Sequence, residues 1–207
     1  MEGMIAFKSR RNCVWREGGT VYKRIMGIPG EPEKPCHRAA FEADMINRLY
    51  RCGVRVPRLI SCKDDWLAMD YVESRTLVEY IDSCEIGAER VPHETIIDNV
   101  SVWFESFYDA VQNGIIRGDV NCRNFLLTPN GSVFGVDFEG PFIGKREDDL
   151  GRILAYILTY KPQYTPFKTR FADMLCRAFN KRFNLELNLV AIATDKEIGD
   201  MAVRRDR

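Results

Sequence analysis

The spacing of apolar residues changes near residue 75, and this change restricts the fold more than any other feature of the sequence. Before it, short apolar runs bounded by turn residues predict five strands, at 5–7, 13–16, 20–26, 58–60 and 66–71. Gly18-Gly19 predicts a hairpin between the second and third strands. Residues 37–52 repeat their apolar positions at helical spacing, and Gly53 follows as a stop signal. The first third is therefore predicted to hold five strands and one helix.

Beyond residue 75 the spacing becomes mainly helical. A broad apolar face predicts a core helix over 94–113, and further helices are predicted around 150–158 and from Thr165-Pro166 onward. A short hairpin is expected over 125–137, and the pattern Thr194-Asp195-Lys196-Glu197 is interpreted as the capping box of a last short helix. The fold class expected is α+β, with the strands early and the helices late.

Composition excludes several classes of protein. Thirty Lys and Arg balance thirty Asp and Glu, so the net charge gives no reason to expect a membrane-surface or nucleic-acid protein, except through a partner. No segment resembles a signal peptide or a membrane span, and we expect a cytoplasmic protein with no membrane association. Seven scattered cysteines without CxxC spacing predict reduced thiols rather than a zinc site. The terminal Arg204, Arg205 and Arg207 form a local basic cluster, which is interpreted as a solvated, frayed end, with a local polyanion site as the alternative.

Two neighbouring segments carry recognisable chemistry. Residues 116–127 include Arg117-Gly118-Asp119 and, five residues after the aspartate, Asn124; residues 133–140 include Asp137-Phe138-Glu139. The first segment resembles the catalytic loop of kinase-like enzymes in its H-G-D-x-x-x-x-N form, and the second resembles their D-F-G motif. Taken singly, these Asp and Asn residues could also be ordinary turn residues or strand caps.

The resemblance implies a role for each of these residues. Asp119 would be the catalytic base that orients a hydroxyl acceptor, while Asn124 and Asp137 would hold Mg²⁺ on the phosphates of ATP. We expect Gly118, which has no side chain, to leave the approach to Asp119 open. Asp149 would brace the catalytic loop from the following helix.

The same resemblance assigns the nucleotide site upstream. Lys23, on the third predicted strand, would contact the phosphates and be held by Glu42 on the predicted helix. The segment Met69-Asp70-Tyr71-Val72 would bind adenine through its backbone. Lys8 to Asn12 stands where the family has a glycine-rich loop, and Ser9, Asn12 and backbone amides would cradle phosphate there.

The sequence departs from regulated protein kinases at several points. Arg117 replaces the usual histidine, Glu139 replaces the last glycine of D-F-G, and no A-P-E motif follows. Asp148 comes only eleven positions after Asp137, which leaves no room for a long activation segment. The chain therefore resembles the smallest atypical members of the superfamily, namely the KEOPS-complex kinase subunit and the RIO and lipopolysaccharide kinases.

This resemblance implies a two-lobed, protein-kinase-like α+β fold. Residues 1–73 would form an antiparallel-sheet N-lobe with one helix, and residues 74–207 a small helical C-lobe, with MgATP between them. The activity implied is transfer of the γ-phosphate of ATP to a hydroxyl acceptor, foremost a protein serine or threonine. A small-molecule or sugar kinase, an ATPase that depends on a protein complex partner, and a catalytically silent nucleotide-binding scaffold remain as alternatives.

Overall fold

The computed structural model describes residues 4–7, 9, 11–27, 30, 33–111, 114–138, 140 and 142–205. The chain divides into two units by its internal contacts. The first unit comprises Met1–Glu73 with Gly135–Gly140, and the second comprises Ser74–Phe134 with Pro141–Arg207. The interpretation of residues 1–73 and 74–207 as nucleotide-binding and catalytic lobes stays a prediction.

The first unit is built on a five-stranded antiparallel sheet. Its strands are β1 (Ile5–Phe7), β2 (Cys13–Glu17), β3 (Thr20–Arg24), β4 (Leu59–Lys63) and β5 (Trp66–Asp70), in the spatial order β1-β2-β3-β5-β4. The tight β2–β3 turn requires Gly18, whose φ of +57° is in the left-handed region that glycine adopts without strain. The five predicted strands are confirmed, although β4 runs further toward its turn than predicted.

One helix, α1 (Pro35–Arg51), packs on this sheet. Proline at its first position is favourable because the missing N–H would have had no helical partner there. Its buried face includes Ala39, Ala43, Ile46 and Leu49, which recur at helical spacing. The helix ends before Gly53, whose N–H donates to the carbonyl of Tyr50. The result is one core formed between the helix and the sheet.

The second unit is mainly helical. Its helices are α2 (Leu77–Glu85), α3 (His93–Val111), α4 (Arg146–Thr159), α5 (Pro166–Phe183) and α6 (Leu187–Arg205). Short strands lie between them: β6 (Arg75–Thr76), β7 (Ile115–Ile116), β8 (Phe125–Leu127), β9 (Val133–Gly135) and β10 (Phe142–Ile143). Strands β6, β8 and β9 form one small sheet, while β7 pairs with β10. A 3₁₀ turn, Cys122–Asn124, leads into β8.

An aromatic cluster on α3 forms the centre of this second unit. The ring of Trp103 lies 5.4 Å from that of Phe107 and 5.3 Å from that of Phe125 on β8, measured between centroids. The ring of Phe104, on α3, packs against Phe179 on α5, with 5.0 Å between the two centroids. All five rings are almost fully buried. Aromatic burial of this kind stabilises a core strongly, so α3 fixes the positions of β8 and α5.

Two helices differ from the sequence prediction. Helix α2 was not predicted, although Thr76 accepts a hydrogen bond from the N–H of Glu79 in a true capping box. Helix α6 begins at Leu187, so the expected short helix starting at Thr194 is wrong: Thr194 lies inside α6, and its hydroxyl donates to the carbonyl of Val190. The prediction of a frayed end is also wrong for Arg204, which lies in α6 and pairs with Glu197. Arg207 lies outside the described residues.

The predicted α+β class is confirmed, with an antiparallel sheet and one helix in the first unit and helices dominating the second. All seven cysteines are free thiols, as predicted. Within the described ranges, no helix combines the length and the apolar character needed to cross a membrane.

Candidate active site

Lys23 is the centre of a buried charged cluster in the first unit. Its Nζ donates to both carboxylate oxygens of Glu42, at 3.0 and 2.7 Å, and to Oδ1 of Asp137 at 2.5 Å. Lys23 is 5% exposed and Glu42 is 1% exposed. The alternation of β3 points Lys23 toward α1, where Glu42 lies on the buried helix face. The structure therefore brings together the lysine and glutamate that the sequence paired.

Asp137 is the member of this cluster that reaches solvent, since 36% of its side chain is exposed. Its φ of +71° is uncommon for a residue other than glycine, although aspartate tolerates this region better than most. The chain around it is anchored by Gly135, whose N–H donates to the carbonyl of Arg55, and by Phe138, whose N–H donates to Glu42. The carboxylate is thus held against a lysine and still open to a ligand. Glu139 lies outside the described residues.

In the second unit, Asp149 holds the loop that precedes the 3₁₀ turn. Its fully buried carboxylate accepts the N–H groups of Arg117 and Gly118, both at 2.7 Å, and the hydroxyl of Tyr108 at 3.0 Å. Burial raises the pKa of Asp149 to about 6, and these three hydrogen bonds act in the opposite direction. Asp149 thus holds the backbone of this loop from α4, as the resemblance to kinase-like enzymes implied.

Asp119 and Asn124 lie in the same loop. The N–H of Asp119 donates to the carbonyl of Arg117 at 2.9 Å, and its Oδ1 accepts the N–H of Asn121 at 3.2 Å. Asn124 is 8% exposed, and its Nδ2 lies 3.4 Å from the carbonyl of Asp119. One oxygen of Asp119 thus forms a local turn contact of the kind that aspartate often makes. The roles of Asp119 as base and Asn124 as metal ligand stay predictions.

The surroundings of Gly118 correct one expectation. A Cβ at this position would lie 2.0 to 2.5 Å from ring atoms of Phe142, and the φ of Gly118 is +71°. Glycine is required because a side chain would collide with that ring and strain the backbone. The space beside Gly118 is occupied by Phe142 rather than left open for an acceptor.

The predicted nucleotide-binding residues lie in the first unit. The hydroxyl of Ser9 accepts the N–H of Asn12, and Oδ1 of Asn12 accepts the N–H of Met26. Both side chains therefore shape the loop between β1 and β2. Lys8 and Arg10, from the same predicted phosphate loop, lie outside the described residues.

The predicted adenine segment is Met69 to Val72, at the end of β5. Met69 lies within the strand, the N–H of Asp70 donates to the carbonyl of Arg58, and the N–H of Tyr71 donates to the carbonyl of Gly19. Adenine binding by this segment stays a prediction, and it requires backbone groups other than these two donors.

Arg152 was missed by the sequence analysis. Its Nη1 donates to the carbonyl of Gly118 at 3.1 Å. The available signal was its position one turn after Asp149, which places both side chains on one side of α4. Tyr108 and Phe142 were missed as well, because the hydrogen bond from Tyr108 to Asp149 and the contact of Phe142 with Gly118 join residues far apart in sequence and leave no periodic pattern.

No group of three or more His, Cys, Asp or Glu side chains within the described ranges is arranged to hold a metal ion. Magnesium seldom needs such a group, because it is usually bound by one or two carboxylates together with substrate phosphates and water. A single accessible carboxylate such as Asp137 fits that kind of binding.

With the fold and these two clusters described, comparison with known proteins gives the family. Residues 35–140, which are 106 of the 207, match the family described as RIO1, RIO domain. The chain belongs to the RIO domain family. The predicted membership in the protein-kinase-like superfamily is thereby confirmed.

Two individual proteins show further similarity. The EKC/KEOPS complex subunit BUD32 of Encephalitozoon cuniculi (strain GB-M1) is 30% identical over 117 residues, covering 54% of this chain and 51% of the relative. The match thus spans about half of the relative's length. The crystal structure of the Rio2 kinase-ADP/Mg²⁺-phosphoaspartate complex from Chaetomium thermophilum matches with a TM-score of 0.49 and 15% identity, over 94% of this chain and 60% of that chain.

Proposed function

We propose that the protein is an ATP-dependent phosphotransferase that moves the γ-phosphate of MgATP to a hydroxyl acceptor, a serine or threonine of another protein. The observation that carries this proposal is the buried Lys23–Glu42 pair with Asp137 beside it. Burying a lysine is unfavourable unless its charge is compensated. A lysine held in this way and next to a partly exposed carboxylate suits a phosphate-binding site.

Each residue has a role in this proposal. Lys23 contacts the phosphates and Glu42 fixes its position. Asp137 and Asn124 would hold Mg²⁺, which when bound would supply positive charge that neutralises the phosphates. Asp119 accepts the proton of the attacking hydroxyl, and Asp149 holds the backbone on which Asp119 is carried. Ser9 and Asn12 belong to the phosphate loop, and Met69 to Val72 to the adenine contact.

A protein complex partner is part of the proposal, because the similar BUD32 protein is named as a subunit of the EKC/KEOPS complex. A partner-dependent ATPase, and a kinase acting on a small molecule or sugar, would use the same residues. A catalytically silent nucleotide-binding scaffold is the second candidate, and the turn contact between Asp119 Oδ1 and Asn121 N favours it. The destination of the phosphate separates these possibilities.

The test is to incubate the full chain with γ-labelled ATP and Mg²⁺, with and without a general protein acceptor, and to follow label on protein, on small molecules and as free phosphate. Protein-bound label is expected. Asp119→Asn should lower turnover about 10²- to 10⁴-fold, the usual cost of removing a positioned base. It should keep the melting temperature, since an amide oxygen can still accept from Asn121.

The matched control is Asp173→Asn. Asp173 is an exposed aspartate on α5, and it pairs with Arg177, which lies one turn further along the same helix. It should turn over as the wild type does. Equal activity in Asp119→Asn and Asp173→Asn would exclude Asp119 as the base. Nucleotide binding without any labelled product would favour the scaffold.

A further inference from the structure

Residue Gly118, which directly precedes Asp119, is held at both its N–H and its carbonyl by side chains of α4. Asp149 accepts the N–H of Gly118 at 2.7 Å, and Arg152 donates to its carbonyl at 3.1 Å. That carbonyl belongs to the same peptide group as the N–H of Asp119. Two side chains one turn apart on one helix therefore fix the backbone immediately before the proposed base.

Such a clamp has a physical reason at this position. Glycine has more backbone freedom than any other residue, and Gly118 takes a left-handed φ of +71°. Rotation about Gly118 would swing the Asp119 side chain away from its position. Asp149 alone holds only the N–H side, so Arg152 supplies the restraint on the carbonyl side.

Arg152 is in turn paired with the C-terminal helix. Its Nε lies 4.0 Å from Oε2 of Glu197 on α6, and the other oxygen of Glu197 accepts from Arg204. Glu197 is 8% exposed, so its charge is largely withdrawn from water and depends on these two arginines. A change in α6 can therefore be transmitted to Arg152.

The packing of α4 against α6 keeps this ion pair in register. A Cβ on Gly151 would lie 2.5 Å from Cβ of Ala193 and 2.8 Å from the backbone nitrogen of Thr194. The two helices thus touch directly beside Arg152. Tyr156, one turn further along α4, has its pKa raised to about 12 by burial first and then by the charges of Asp119 and Glu197, which agrees with both carboxylates lying near this stretch of α4.

We propose that Arg152 is a positioning residue for Asp119, and that Glu197 on the C-terminal helix holds Arg152 in the conformation that clamps Gly118. This inference rests on the proposed function and adds a control point to it: α6 influences turnover through a side chain that touches no substrate. Arg204 still pairs with Glu197 when Arg152 is replaced, and Arg152 itself is about one third exposed, so the Arg152–Glu197 pair adds little to stability and its effect belongs to turnover.

The first test compares Arg152→Ala with Arg177→Ala. Arg177 is an exposed arginine on α5 that pairs with one acidic side chain, Asp173. In Arg152→Ala, kcat should fall about 10- to 100-fold, the scale expected when a reacting group is misplaced by about 1 Å. KM for ATP and the melting temperature should stay close to wild type. Arg152→Lys should recover part of kcat, since lysine can still donate one hydrogen bond. Arg177→Ala should not change kcat, and an unchanged kcat in Arg152→Ala would overturn the inference.

The second test addresses the link to α6. Glu197→Gln should lower kcat less than Arg152→Ala does, and it should cause no further loss when combined with Arg152→Ala, because both act through one contact. Losses that simply multiply in the double variant would show that Glu197 does not act through Arg152.

A third measurement does not depend on activity. Hydrogen–deuterium exchange at the amides of 118–121 should become faster in Arg152→Ala than in wild type or Arg177→Ala. Unchanged exchange overturns the clamp even if the wild type transfers phosphate. Wild type without phosphate transfer overturns the proposed function instead, while faster exchange in the variant would still support the clamp.

Discussion

The buried ammonium group of Lys23 contacts two carboxylates, those of Glu42 and Asp137, so replacing Lys23 affects folding as well as activity. Glu42 is only 1% exposed, so removing the lysine leaves a carboxylate buried without its principal cation. Removing one partner of a buried ion pair typically costs about 3 to 5 kcal/mol. A loss of activity in a Lys23 variant would therefore mix poorer phosphate contact with poorer folding.

We predict that Lys23→Met lowers the free energy of unfolding by about 3 kcal/mol. Adding Glu42→Gln should recover a part of this loss, since the second change removes a buried negative charge that has lost the hydrogen bonds of Lys23. Urea unfolding of the two variants and of Glu42→Gln alone measures the effect. A double variant that is less stable than Lys23→Met would show that the pair does not determine the stability of this cluster.

Asp149 gives the molecule a dependence on pH of defined sign. Burial raises its pKa from 3.8 to about 6 in the folded chain. At a pH between these values the folded state binds more protons than the unfolded state, so the stability contributed by this group is present at low pH and is lost as the pH rises toward about 6. The Asp149→Asn variant has no titrating carboxyl group at this position.

The difference in unfolding free energy between wild type and Asp149→Asn should therefore shrink by about 2 kcal/mol from about pH 4.5 to about pH 7. Urea unfolding of both proteins at each pH measures it, and taking the difference cancels the other titrating groups. A difference that does not change with pH would mean that Asp149 keeps an ordinary pKa in the fold.

At the scale of elements, the contact between α4 and α6 depends on one small residue. Gly151→Ala on α4 would place a methyl group 2.5 Å from Cβ of Ala193 on α6. A methyl group added at Gly199, on the same helix as Ala193, would have no atom within 4 Å. Overpacking costs about 1 to 3 kcal/mol, while alanine in an exposed helix position is favoured over glycine by up to about 1 kcal/mol. Gly151→Ala should thus destabilise the protein and Gly199→Ala should stabilise it. Thermal unfolding that ranks the two variants the other way would contradict this packing.

Helices α2 and α6 show why local signals predicted only part of the fold. The pattern Thr-x-x-Glu occurs at both Thr76 and Thr194, but it caps a helix only at Thr76. A cap requires an extended residue before the first helical turn, and the apolar run before Thr194 is itself helical. The strands of the first unit were easier to predict, because Gly18-Gly19 marks the turn between β2 and β3 and Asp64-Asp65 marks the turn between β4 and β5.

The same limit applies to the candidate site. Lys23 and Glu42 could be paired from sequence through the resemblance to kinase-like enzymes, which implies a lysine on the third strand and a glutamate on the following helix. Helical spacing added only that Glu42 lies beside the buried face of its helix. The hydrogen bond from Arg152 to Gly118, and the ring of Phe142 against that glycine, join residues far apart in sequence. Their types and spacings carry no periodicity, so only the folded chain shows them.

At the scale of the whole molecule, the residues assigned to one reaction are divided between the two units. Lys23, Glu42 and Asp137 belong to the first unit, and Asp119 and Asn124 to the second. If these residues all contact one molecule of MgATP, a substitution in either unit must weaken the binding of that nucleotide. Stability measured with and without nucleotide reports this for the full chain.

A non-hydrolysable ATP analogue with Mg²⁺, at about 100 times its dissociation constant, should stabilise the protein by about 2.7 kcal/mol and raise Tm by about 5 to 10 °C. Asp137→Asn and Asn124→Ala should each reduce this shift, whereas Asp173→Asn should preserve it. The shift must also require Mg²⁺, because both residues are proposed as metal ligands. If Asp137→Asn abolishes the shift and Asn124→Ala leaves it intact, Asn124 is a structural residue of its loop, and the second unit contributes no metal ligand at that position.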